Sequence, residues 1–151
     1  MSFLQNYPAL LETAYDATTR LLRPWRRWLR RGGATEKLLV VAEQVGKGAV
    51  FDCRMCGECV LHNTGMTCPM TCPKNMRNGP CGGVRPDGRC EVLPDQPCIW
   101  TEAWQRAARM PKYGGEIRLI LPPLDRRQQD RSAWLNDLLG LPDSVPQGWN
   151  E

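Results

Sequence analysis

The sequence predicts a small, irregular, metal-stabilised cysteine-rich core with a few flanking α-helices and little β structure. Three observations carry this expectation. Eight cysteines are packed between positions 53 and 98. Bulky apolar residues are scarce, with Phe only at Phe3 and Phe51 and the Trp residues lying outside the cysteine stretch. Finally, 13 Pro and 14 Gly interrupt the chain repeatedly. A chain of 151 residues is the size of one ordinary domain, but this one lacks the material for an ordinary core, so something other than packing must order its middle.

The elements follow in order. Residues 8–31, PALLETAYDATTRLLRPWRRWLRR, read as a helix, with Pro8 suited to the first turn and Leu10, Leu11, Tyr15, Leu21 and Leu22 near helical spacing. Pro24 should kink or restart it. Its last part sets Trp25 and Trp28 among arginines, a pattern for an acidic face on a partner, a membrane surface, or a solvated amphipathic helix. After Gly32 and Gly33, Thr35 is a candidate cap for a short helix through LLVVAEQ that Gly46 would end. Because Leu38, Leu39, Val40, Val41 and Ala42 are apolar nearly all round, this helix is expected to be buried. From 52 to 98 turn chemistry dominates, in NGP, CGG and PDG. IWTEAWQRAARM is again helical up to Pro111. EIRLILPPL alternates Ile117, Leu119 and Leu121 and reads as an edge strand or a lone extended strip. Ser132 should cap SAWLNDLL. This divides the chain into an N-terminal helical, partner-binding segment (1–48), a cysteine-rich cluster-binding domain (49–110), and a C-terminal extended segment with a short helix (111–151).

The net charge of +4 sits entirely in residues 1–31, where six arginines face Glu12 and Asp16; beyond them acids and bases cancel. Eight thiolates around two dicationic iron–sulfur cores would bring the whole near neutrality. Nucleic acid, which wants a sustained positive face, is therefore not expected as the main partner. No run of apolar residues approaches the eighteen or more that cross a bilayer. The first basic residue, Arg20, comes too late for the start of a secretory leader. The expected compartment is a reducing cytoplasm, where dense cysteines are metal ligands rather than disulfides.

The eight are Cys53, Cys56, Cys59, Cys68, Cys72, Cys81, Cys90 and Cys98. Zinc usually takes two separated C-x2-C knuckles. Here Cys53, Cys56 and Cys59 form a C-x2-C-x2-C triple, which sets three thiolates around one small centre with a remote fourth to close it, as in the bacterial ferredoxin run. Cys68-Pro69 and Cys72-Pro73 add prolines that bar helix continuation. Gly57, Gly79, Gly82 and Gly83 allow close backbone approach and amides directed at sulfur. Two [4Fe-4S] clusters fit the count, with zinc as the alternative. The expected division is Cys53, Cys56 and Cys59 with Cys98, and Cys68, Cys72, Cys81 and Cys90 together; an interleaved division fits the spacing as well. His62 lies within the ligand region and reads as a hydrogen-bonding surface residue rather than a ligand. No G-x-G-x-x-G, P-loop or histidine beside a nucleophile is present, so the chain is not expected to catalyse alone.

The string CRMCGECVLHNTGMTCPMTCPKNMRNGPCGGVRPDGRCEVLPDQPCIW resembles the methylenetetrahydrofolate reductase C-terminal domain family, which in some bacteria is a separate small subunit. The likeness is close over residues 50–104, in cysteine spacing and in CPK...NGPCGG, and looser over EIRLILPPLDRRQQDRSAWL. It implies iron–sulfur clusters on this chain and a flavoprotein catalytic subunit, a TIM-type barrel that binds FAD or FMN and folate. The chain would then be the electron-transfer or accessory subunit of a methylenetetrahydrofolate reductase complex. A zinc-stabilised binding module without redox work is the other reading.

Overall fold

A computed structural model describes residues 3–27 and 31–149. Four α-helices flank an irregular middle: α1 (Pro8–Leu22), α2 (Ala34–Phe51), α3 (Ile99–Ala107) and α4 (Ala133–Leu138). Among the described residues the only β pairing is two isolated bridges, Val84 with Cys90 and Arg89 with Pro97.

Helix α1 starts with Pro8 in its first turn and gives way at Arg23, the residue before Pro24, to a 3-10 turn over Arg23–Arg27. The helix expected over 8–31 thus breaks at Pro24, as expected, and residues 28–30 of its second piece lie outside the described residues. Trp28 lies outside the described residues, and Trp25 is exposed. Leu11 and Tyr15 pack on the central core. The buried Glu12 fixes the helix by accepting the amides of Lys112 and Tyr113 at 3.0 and 2.6 Å. One turn on, Asp16 accepts from Tyr113 Oη at 2.5 Å and Lys112 Nζ at 2.6 Å.

Helix α2 departs most from expectation. Its N-cap is Gly33 rather than Thr35, and it runs through Gly46 and Gly48 to end at Asp52, which adopts a left-handed φ of 51°. A helical glycine costs only about 1 kcal/mol against alanine, and burial of one face outweighs that. The buried face is the charged one: Glu36, Glu43 and Lys47 are covered, while Leu38, Val41 and Val45 are 71%, 56% and 69% exposed. Glu43 explains the inversion. Its carboxylate accepts from Ser132 Oγ (2.5 Å) and from the amides of Ala133 (3.2 Å) and Trp134 (3.1 Å). It thereby seats an anion at the N-terminus of α4. Ser132 caps α4 as expected, accepting from the amide of Leu135 at 3.2 Å.

The segment 116–124 makes a 3-10 turn over Gly114–Arg118 and then a lone extended strip, not an edge strand. In place of a neighbouring strand, Asn78 bonds both the amide and the carbonyl of Leu121, at 2.9 and 2.8 Å. Helix α3 buries Trp100, Ala103 and Ala107 and closes the middle from the other side.

The middle has two small cores. One joins Leu61, Met66, Cys68, Met70 and Met110; the other joins Cys98, Trp100 and Ala103. Three of the five residues in the first are methionines, whose flexible thioethers fill irregular gaps that rigid side chains would leave open.

Candidate metal centre

The loop 53–59 leaves α2 at the left-handed Asp52 and turns again at Met55 (φ 49°) and Gly57 (φ 79°). These turns fold the C-x2-C-x2-C triple around one cavity, and Cys68 joins it from the following loop. Cys53, Cys56, Cys59 and Cys68 all line this cavity, together with apolar Phe51, Val60, Leu61 and Met70. The turns at 60–67, closed by the amides of Thr64 on Val60 and Met66 on Leu61, bring Cys68 back to the triple. Met55 N–H points at Cys53 Sγ, 3.4 Å away.

The expected partner of the triple, Cys98, is not there. It sits in the second core, against Trp100 and Val84. The ladder fixes its company. Gly88 faces Cys98 and Gln96 faces Cys90 through backbone bonds of 3.0 Å each, and Arg89 pairs with Pro97 between them. Cys90 and Cys98 therefore share one face of this hairpin, diagonally placed. The PDG tripeptide makes its turn, with Gly88 N–H on Arg85 C=O at 2.8 Å. Cys81 is exposed and accepts the Gly83 amide at 3.4 Å. Cys72 is buried, on a groove shared with Leu93 and Gln96 of the hairpin and with Cys56 of the first group. The structure thus gathers Cys53, Cys56, Cys59 and Cys68 about one cavity and carries the other four on the 72–98 stretch. The division expected from spacing alone exchanges Cys68 and Cys98.

Close approach requires glycine at positions 57 and 79, among others. A Cβ on Gly57 would fall 1.9 Å from the carbonyl oxygen of Gln128, and one on Gly79 would fall 2.4 Å from the Trp100 ring. The first contact belongs to a strap, residues 128–136, drawn across the ligand loop. Asp130 N–H donates to Met55 C=O (2.8 Å), Gln129 Nε2 to Arg54 C=O (2.9 Å), and Asn136 Nδ2 to Gly57 C=O (2.8 Å).

The electrostatics are those of crowded thiols in an apolar place. Burial pushes the Cys56 thiol up to about 11 and Cys68 to about 12, with neighbouring cysteines adding to both, and burial also raises Cys53. As free thiols they are poor nucleophiles at neutral pH. A cationic metal core would reverse this by holding them as thiolates. Four thiols on one cavity, an amide directed at Cys53 and the cations Lys47 and Arg77 on the same wall are a donor set that would suit such a group. No trio of His, Cys, Asp or Glu among the described residues converges tightly enough for one metal ion. A zinc tetrahedron with Zn–S of about 2.3 Å would need sulfurs roughly 3.8 Å apart.

His62 is not on the cavity. Its ring stacks on Tyr15 (5.0 Å) and meets Tyr113 edge-on (5.6 Å), with Nε2 3.7 Å from Glu116. Sequence reasoning missed the buried ionic residues beside the thiols, Glu43, Lys47, Glu58 and Arg77. Only the four-residue spacing of Glu43 and Lys47 hinted at a pair.

Fold and site define a helix-flanked, cysteine-rich domain organised around buried thiols. The chain belongs to the methylene-tetrahydrofolate reductase C-terminal family, which matches residues 33–127 and so takes in α2, α3 and every cysteine. No curated protein and no solved structure matches it. No helix among the described residues is long and apolar enough to cross a membrane.

Proposed function

We propose that this chain is the iron–sulfur, electron-transfer subunit of a methylenetetrahydrofolate reductase complex, docking on a flavin-containing TIM-barrel catalytic subunit. The observation that carries the reading is the convergence of Cys53, Cys56, Cys59 and Cys68 on one apolar cavity in a member of this reductase-associated family. In this reading those four hold one [4Fe-4S] cluster and Cys72, Cys81, Cys90 and Cys98 hold a second. Each cluster supplies a one-electron carrier when bound. The chain's own residues do the rest. Phe51, Leu61 and Met70 keep water from the first site, the amides of Met55 and Gly83 donate towards Cys53 and Cys81, and the strap 128–136 holds the first ligand loop in place. Cys56 and Cys72, one from each group, border a common groove, which favours passage of electrons between the two sites.

Docking is supported by side chains that the fold leaves uncovered. Trp25, Leu21 and Leu10 on the N-terminal segment are exposed, as is Ile120 at 88% on the extended strip, and Trp is a residue type enriched at interface hot spots. By contrast Trp100 is 4% exposed and packs in one cluster with Cys98.

Oxygen-free purification followed by iron, sulfide and zinc analysis tests the metal assignment. A brown protein with matching iron and sulfide, bleached by dithionite, is expected; a colourless protein with stoichiometric zinc would overturn it. Co-expression with the flavoprotein, read by gel filtration, tests the partner.

A further inference from the structure

We propose that the two buried ion pairs on the first thiol cavity, Lys47–Glu43 and Arg77–Glu58, set how readily the metal centre held there accepts an electron. The proposal rests on the cluster reading above and goes beyond it by giving named side chains opposite effects. All four residues are nearly inaccessible: Lys47 is 8%, Glu43 1%, Arg77 7% and Glu58 4% exposed. All four line the same cavity as the cysteines.

Stability alone does not account for them. A buried ion pair is on average no better than apolar residues of the same volume, because desolvation offsets its attraction. Here two such pairs border a single small cavity. The two pairs differ in how completely they are made. Arg77 Nη2 lies 3.4 Å from Glu58 Oε2 and is buried with no hydrogen-bond partner. Lys47 Nζ gives Glu43 one bond of 2.7 Å and otherwise rests 4.8 Å over the Trp134 ring. Glu58 stands between two of the proposed ligands in Cys56-Gly57-Glu58-Cys59. Lys47 and Arg77 each feel the cysteine sulfurs, Lys47 those of Cys59 and Cys53, Arg77 that of Cys56. The remaining cation on the wall, Arg131, is already held by Glu36 in two bonds of 3.0 Å.

Adding one electron to the centre adds one negative charge to a space where charges are poorly screened. A cation at the wall favours that step and a carboxylate opposes it. Lys47 and Arg77 should therefore raise the reduction potential, and Glu58 should lower it.

The experiment is an anaerobic redox titration of the holoprotein followed by electron paramagnetic resonance, comparing the unaltered chain with Lys47→Met, Arg77→Met and Glu58→Gln. Each cation variant is expected to cut the reduced-to-oxidised ratio about tenfold at fixed potential, a shift of about 59 mV downward for a one-electron couple. Glu58→Gln, which keeps size and burial, is expected to move it by a similar factor upward, and Lys47→Arg to restore the original value. Unmoved potentials in Glu58→Gln with full iron and sulfide content would overturn the proposal, even if the cation variants fail to fold. So would shifts of one sign in all variants, since loosened packing has no reason to distinguish acid from base. Iron and sulfide missing from the unaltered chain would instead sink the cluster reading, before any variant is compared.

Discussion

At the scale of single residues, the proposed ligand set turns on Cys68. Its neighbours along the chain suggested company with Cys72, yet two tight turns carry it back to the triple, and its thiol is the most strongly raised of those shifted by burial and mutual crowding. Replacing Cys68 by Ser should remove the same magnetic-resonance signal as replacing Cys59, and roughly half the iron, whereas Cys98→Ser should spare that signal. Equal loss from all three would contradict the division. Glu43 is the other residue with reach. One carboxylate holds Lys47 and the first turn of α4 together. Glu43→Ala leaves an unpaired buried ammonium and takes the acceptor from two first-turn amides of α4. A loss of about 3 kcal/mol is expected from breaking such a pair, measurable by urea denaturation.

At the scale of elements, α1 is attached mainly through carboxylates. Asp16 is held below its usual range first by its hydrogen bond from Lys112 and then by that from Tyr113. A carboxyl lowered on folding stabilises the docked helix above its unfolded value of 3.8, and that contribution disappears as the pH falls through the lower, folded value. Between neutral pH and pH of about 4 docking should be insensitive to acid through this group; below it, residues 3–27 should become more open to pepsin. Asp16→Asn should show the same opening at neutral pH, read there by amide hydrogen exchange. Helix α2 teaches a related lesson. Its run of aliphatic residues pointed to burial, but Leu38, Val41 and Val45 face outward because the polar stripe of Glu36, Glu43 and Lys47 has specific partners inward. Hydrophobic pattern ranks faces by transfer cost alone; it is blind to a carboxylate that satisfies four donors at once.

For the whole molecule, the sequence was most legible where chemistry is local. The helical flanks, the scarcity of strand, the PDG turn, the Ser132 cap and the set of eight cysteines could all be read from short stretches. What escaped were contacts between distant parts: Glu12 with residues 112 and 113, Asn78 with Leu121, and the strap on Gly57. Each joins residues tens of positions apart, and no periodicity encodes such a pairing. The two small cores between the helices are correspondingly modest, and metal-binding free energy would here be folding free energy. Treating the holoprotein with a chelator and an oxidant should raise amide exchange across residues 52–98 first, with α3 following because its buried face packs on Cys98. Unchanged exchange after complete removal of metal would show that side-chain packing suffices.

The strap has a consequence for biosynthesis. A polypeptide leaves the ribosome N-terminus first, so residues 53–68 are in the open while 128–136 are still being made. The carbonyl of Gln128 then settles directly over Gly57, leaving no room even for a methyl group. A metal group held by the loop beneath would have to be taken up before this later segment settles or through its opening, so the rate of metal uptake should respond to substitutions in 128–136.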